Sequence, residues 1–340
     1  MAAAAAAGVG VKTRLLLAGW GLLVSAAAGR AQATHVVIVT GASGDPKYAA
    51  SFHAAATAFA DALVNTHGVP ADNVIYLAEN PARDAARIDG KSSKIEVGNA
   101  LSGVAGKARA GDRVLLVLIG HGSHAGADSR LNLPGPDMTA AELAVMLEPL
   151  QSLQLAVVNA ASASGDFLPV LSGKNRVVIT ATKSSYERNE TLFPQHFVNA
   201  FTTPGADTDK DERVSLLEAF VYAKREVTRV YETDTRLPTE HAMLDDDGDR
   251  RGSAEPNPQS GDGAVARRFI VGGTRTARAA ETANAPAALV ARKSELEAQV
   301  DSLRRRKNTM AADQYEQQLE KLLVDLARVS QAIREGGSPP

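Results

Sequence analysis

Five short aliphatic runs constrain this chain more than any other feature: His35 to Thr40 (HVVIVT), Asn73 to Leu77 (NVIYL), Arg113 to Ile119 (RVLLVLI), Leu155 to Asn159 (LAVVN) and Arg176 to Thr180 (RVVIT). Each is apolar at successive positions, so each needs cover on both faces, the pattern of a parallel sheet between two helical layers. The intervening segments supply helices. Phe52, Ala56, Phe59 and Leu63 recur at helical spacing and mark one apolar face, and Met138 to Leu150 is rich in helix formers. The βαβαβ order predicts a doubly wound, mostly parallel α/β domain, with Arg268 to Val271 as a further short strand.

Three segments follow from composition. Residues 1–33 carry Lys12 and Arg14, a 14-residue apolar run (LLLAGWGLLVSAAA) and then Ala31-Gln32-Ala33. That is the layout of a secretory signal peptide, and the run falls short of the roughly 20 residues that span a bilayer. The expectation is an exported protein, periplasmic or secreted, with no membrane span after signal removal. Residues 34–275 hold the α/β domain. Residues 276–340 shift to Ala, Glu, Arg, Gln and Leu, with Leu289, Leu296, Val300 and Leu303 forming one stripe and Tyr315, Leu319, Leu322, Leu326, Val329 and Ile333 another. Two coiled-coil-like helices joined at Asn308-Thr309 would make a hairpin, suited to oligomerisation or partner binding or to packing on its own chain.

Composition also excludes. With 37 Lys plus Arg against 39 Asp plus Glu, the net charge of −2 offers no footprint for nucleic acid. The absence of any cysteine rules out disulfides, thiolate metal sites and a cysteine nucleophile.

In open α/β sheets, ligands bind beyond the carboxyl ends of the strands. The first run ends in Gly41-Ala42-Ser43-Gly44, the third in Gly120-His121-Gly122-Ser123-His124 and the fourth in Ala161-Ser162-Ala163-Ser164-Gly165. A hydroxyl and an imidazole at adjacent strand ends are the minimum for a nucleophile and its base.

The runs VVIVTGASG, VLLVLIGHGSHAG and VVNAASASGDF, in this order, resemble the legumain-type branch of the caspase-like cysteine peptidases over roughly residues 35–272. The resemblance implies a caspase/legumain-like sheet flanked by helices and gives His121 the position of the catalytic base. Ser162 takes the position of the nucleophilic cysteine, and Ser43 that of an asparagine following the first strand. Two of three positions therefore depart from the family pattern. A serine hydroxyl, unlike a thiol, needs a well-aligned base and usually a carboxylate to orient it. Only Asp128 and Asp166 lie nearby in sequence, and the G-x-S-x-G elbow is absent.

Calcium is the one cofactor the sequence suggests. Asp207, Asp209, Asp211, Arg213 (through its backbone), Ser215 and Glu218 have the ligand spacing of an EF-hand loop. Position 6 holds Glu212 where glycine is usual, a cost of roughly 1–2 kcal/mol if the left-handed conformation is kept. Ser215 and Glu218 equally fit a helix capping box, leaving a solvated acidic turn. Asp245-Asp246-Asp247-Gly248-Asp249 reads as a flexible acidic turn, and Arg250 to Gly263 as an exposed loop able to gate the strand-end groove. His121 and His124 are spaced to share a metal but lack a third ligand, and His53 is expected to face solvent.

These residues support three readings. The first is a catalytically inactive peptidase homologue that binds a peptide or protein segment and acts as a scaffold. The second is an active endopeptidase using Ser162 and His121. The third is a coiled-coil assembly protein with the α/β domain as spacer.

Overall fold

Strands that are apolar on both faces form the interior of the computed structural model. It describes residues 32–125, 128–203, 205–272 and 310–334, together with Leu289, Arg292, Glu295, Leu296, Gln299, Val300 and Leu303. In chain order the strands are β1 (Thr34–Thr40), β2 (Val74–Ala78), β3 (Gly90–Lys91), β4 (Arg113–Ile119), β5 (Gly122–Ala125), β6 (Asp128–Leu131), β7 (Met138–Thr139), β8 (Gln154–Asn159), β9 (Arg176–Thr180) and β10 (Met243–Asp245). Seven make one sheet in the order β10-β9-β8-β4-β1-β2-β3. All neighbours are parallel except β10, which runs antiparallel to β9. The remaining three form a small antiparallel sheet, β5-β6-β7, after β4.

Strand alternation divides the core into two layers. Tyr76, Ile38, Val117, Val158, Ile179 and Leu244 lie in register across the sheet. They pack with α1 (Pro46–Asn65), α5 (Phe193–Thr202), α6 (Leu216–Thr233) and α7 (Ala264–Arg268). Val37, Leu116, Val157 and Val178 point the other way, against α2 (Lys94–Lys107), α3 (Ala140–Leu147) and α4 (Phe167–Leu171). The expected stripe of α1 is the one buried, with Phe59, Ala56 and Leu63 fully enclosed. Helix starts follow local chemistry: Asp45 caps α1 before Pro46, Ser93 caps α2, and Thr139 with Glu142 forms a capping box on α3.

Two local expectations are corrected. Arg268 to Val271 is not a strand of the sheet: Arg268 ends α7, and Ile270 makes only an isolated antiparallel bridge to Ser215. His53 does not simply face water. Its Nδ1 lies 3.2 Å from the Tyr76 hydroxyl and its Nε2 3.6 Å from Asp84.

In the C-terminal segment, α8 (Ala312–Arg334) carries Tyr315, Leu319, Leu322 and Leu326 half-buried and Val329 buried. Leu289 and Leu296 from the preceding stripe join Val329, Leu322, Leu326 and Ala332 in one apolar cluster. Residues 1–31, most of the segment expected to be a signal peptide, and the turn at Asn308-Thr309 lie outside the described residues. Among the described residues, no helix is long and apolar enough to cross a membrane.

Candidate functional site

Parallel neighbours release their following loops at the same end of the sheet, so β1, β4 and β8 bring Ser43, His121 and Ser162 to one edge. The serine loop is tightly built. Ser162 is 2% exposed, and its hydroxyl accepts the Gly122 N–H at 3.2 Å. A side chain at Gly122 would fall less than 3.0 Å from the Ser162 carbonyl oxygen, so glycine permits this approach of the two loops. Ala163 is held at φ 52° although it is not glycine, a local cost of about 1–2 kcal/mol. Its N–H donates to the Glu187 carbonyl at 2.7 Å.

The segment after β9 folds over this loop and fixes it. Thr182 Oγ1 accepts the Gly165 N–H at 3.0 Å and lies 3.2 Å from Ser164 Oγ. Thr191 donates to the Ala160 carbonyl at 2.8 Å. Beneath this cover Ser162 presents almost no surface to solvent.

His121 is part-buried and its ring is contacted edge-on by Tyr48 (4.5 Å between centroids) and Phe52 (5.1 Å). Among the described residues its imidazole makes no hydrogen bond to Ser162, although the next backbone amide does. Burial lowers its pKa, with the exposed Glu190 opposing more weakly. Glu190 also pairs with Lys47 at 3.6 Å. The imidazole is therefore held toward its neutral form, and titration by NMR should place its midpoint below that of an exposed histidine. Phe52→Ala should move it back up by admitting water; an unchanged midpoint would remove burial as the cause.

Ser43 is committed elsewhere, its backbone N–H (3.1 Å) and hydroxyl (2.6 Å) both donating to Glu79 Oε2. Ser43, Phe52, His53, Tyr76, Glu79 and Arg83 line a cleft between the ends of β1 and β2 and the start of α1. His121 packs against Phe52, which connects the two regions. Neither nearby aspartate orients His121: Asp166 accepts from Ser129 at 3.3 Å and Asp128 pairs with Arg130 at 3.8 Å. His124, with Nδ1 buried and unpartnered, lies against Tyr186 at 5.8 Å. It belongs to no convergent metal-ligand group among the described residues.

Several polar residues of this region carry no local sequence signature. Glu79 fixes Ser43 from 36 residues away. Glu187 lies 2.5 Å from His241 Nδ1 and accepts the His241 N–H at 3.0 Å. Glu240, 5% exposed, accepts the N–H groups of Leu192 and Phe193 at the start of α5. Burial raises its pKa.

Elsewhere, the EF-hand-like segment brings Asp207, Asp209 and Asp211 within 4.8 Å of one another, and Glu212 does adopt the left-handed conformation at φ 65°. Its carboxylates are largely occupied. Asp207 accepts from Asp211 and Glu212 N–H groups, and Asp211 pairs with Arg213 at 2.7 Å. Glu218 completes the capping box with Ser215 and also accepts from Thr208. Burial pushes Asp207 and Asp209 up in pKa.

The loop after β10 is not a flexible turn. Asp246, 2% exposed, accepts the N–H groups of Gly263, Val265 and Ala266 at 2.7–2.8 Å. Ser253 pairs back onto Leu244, so this excursion is tied to β10 at its edge. Because β10 is antiparallel, it runs away from the strand ends that carry His121 and Ser162 and stops at Asp245, beside Val178 in the middle of β9.

No family model matches the chain, and no curated protein matches it. Among solved structures, it is similar to the Drosophila initiator caspase Dronc at 11% identity and TM-score 0.42, covering 64% of this chain and 81% of that one. It is also similar to caspase-1 from Spodoptera frugiperda at 10% identity and TM-score 0.40, covering 64% of this chain and 89% of that one.

Proposed function

We propose that this is an exported protein that binds a peptide or protein segment at the edge formed by Ser43, His121 and Ser162, without cutting it. The observation that carries this reading is the state of the would-be nucleophile: Ser162 is buried and takes the Gly122 N–H instead of pairing with an imidazole. Nucleophilic attack needs a base within about 2.6–3.2 Å of the hydroxyl, and an oriented one. The aromatic surroundings of His121 and the exposed ring of Tyr186 suit recognition of an extended segment by apolar anchors. Export rests on the N-terminal pattern of Lys12, Arg14 and the apolar run.

The purified mature chain should retain peptides from a broad library, read by mass spectrometry, with no cleaved products. Ser162→Ala should bind as the unaltered chain does. A second reading, an active serine hydrolase, is favoured by the placement of Ser162 Oγ 3.2 Å from the amide that follows His121. Cleavage that disappears in Ser162→Ala would establish that reading and sink the first. Retention of no peptide, with no cleavage either, would sink both.

A further inference from the structure

The edge strand β10 and the loop after it hold a second polar centre that the binding reading does not use. Asp245 ends β10, Asp247 lies two residues on, and Asp262 returns from the excursion that follows. One carboxylate oxygen from each lies within 4.8 Å of the other two. Asp245 is 1% exposed; its Oδ1 accepts the Gly248 N–H at 3.0 Å, while its Oδ2 is buried with no partner in hydrogen-bonding geometry, although the Ser172 hydroxyl lies near enough to favour the charged carboxylate. Asp262 is also buried, with Oδ1 taking the Asp246 N–H at 2.9 Å. No lysine, arginine or histidine makes an ion pair with any of the three among the described residues.

An enclosed carboxylate oxygen without a well-placed donor is costly, and two further carboxylates close to the same side chain add repulsion. A hard divalent cation removes both costs at once. Calcium takes carboxylate oxygens at about 2.3–2.6 Å, so oxygens on opposite sides of one ion stand about 5 Å apart, compatible with this cluster. The EF-hand-like segment differs in the feature that matters, since its Asp207 and Asp211 oxygens already have N–H or guanidinium partners.

We propose that Asp245, Asp247 and Asp262 bind a calcium-class divalent cation that ties the excursion between β10 and α7 to the edge of the sheet. The ion is structural, since its ligands belong to the edge strand β10 and the excursion that follows it, three strands across the sheet from β4, which leads to His121.

The test is calorimetric titration of the chelator-treated full chain with calcium chloride, and separately with magnesium chloride. The expected result is one calcium per chain at this site, with binding weakened about tenfold or more in Asp262→Asn and in Asp247→Asn. Asp247 is exposed and, among the described residues, its carboxylate accepts only the Asp249 N–H, so that variant keeps the fold if Asp262→Asn does not. Asp209→Asn, in the other acidic loop, should leave this binding unchanged. Calcium should also protect residues 250–263 from limited proteolysis. Absence of calcium binding by the unaltered chain, undiminished binding in Asp247→Asn, or loss in Asp209→Asn instead would overturn the proposal. Preference for magnesium over calcium would overturn the ion class.

Discussion

Gly165→Ala should lower folding stability by about 3 kcal/mol or more, among the largest effects of any single methyl group added to this protein. A Cβ at this position would fall less than 3.0 Å from Ser184 N, Ser184 Cα and Lys183 C. All three are backbone atoms, and the segment they belong to is fixed on the serine loop by Thr182, through its hydroxyl to Gly165 N–H and its own N–H to Ser164 Oγ. No flexible side chain can move aside, so the clash is relieved only by parting the two segments. Urea denaturation should show a lower midpoint with an unchanged slope. Gly103→Ala, in α2 with nothing within 4 Å of the added carbon, is the matched comparison and should lose nothing. Equal midpoints for the two variants would mean that the overlying segment is not held as described. Parting these segments would also unseat Ala163, whose N–H is held by the Glu187 carbonyl. Peptide retention should therefore fall together with stability in Gly165→Ala.

The second large effect is expected at Asp246. Its carboxylate is buried and serves three backbone donors, those of Gly263, Val265 and Ala266, at the start of α7. Alanine would leave all three without an acceptor in an enclosed site. An orphaned donor costs about 1–3 kcal/mol, so Asp246→Ala should lose about 3 kcal/mol or more even if one donor finds water. Asparagine keeps one oxygen and should fall between the two. Hydrogen exchange gives the residue-level check: the amides of Gly263, Val265 and Ala266 should lose protection before those of the sheet. Retained protection at these amides in Asp246→Ala would show that other groups hold α7. Asp246 and the proposed cation ligands thus divide the work of one loop, the first satisfying backbone donors and the others sharing charge.

How far the sequence could be read depended on the range of the interaction. The five apolar runs became five parallel strands because their burial on both faces is a one-dimensional property, visible in successive residues. The apolar face of α1 and the capping box of Ser215 and Glu218 were legible for the same reason, since helical spacing and caps act over three or four residues. That His121, Ser162 and Ser43 each follow a strand end was also visible in the runs; that β1, β4 and β8 are neighbours was decided by the sheet. Their present partners were not visible in the runs. Ser43 turns to Glu79, Ser162 to Gly122 and His121 to Tyr48 and Phe52, choices made between segments that are distant along the chain.

The acidic segments make the same division. Alternating carboxylates stood out in both sequences, but spacing could not tell which oxygens would already have donors. In the EF-hand-like loop, neighbouring N–H groups and Arg213 satisfy them locally. After β10, Asp262 arrives from 15 or more positions downstream of Asp245 and Asp247, and burial leaves Asp245 Oδ2 without a partner in hydrogen-bonding geometry. The sequence by itself determined the layered α/β architecture, because hydrophobic periodicity dictates which faces must be covered. Only the tertiary structure decided which polar groups are satisfied and which are left in need of a ligand, because a hydrogen bond depends on distance and direction in space and not on separation along the chain.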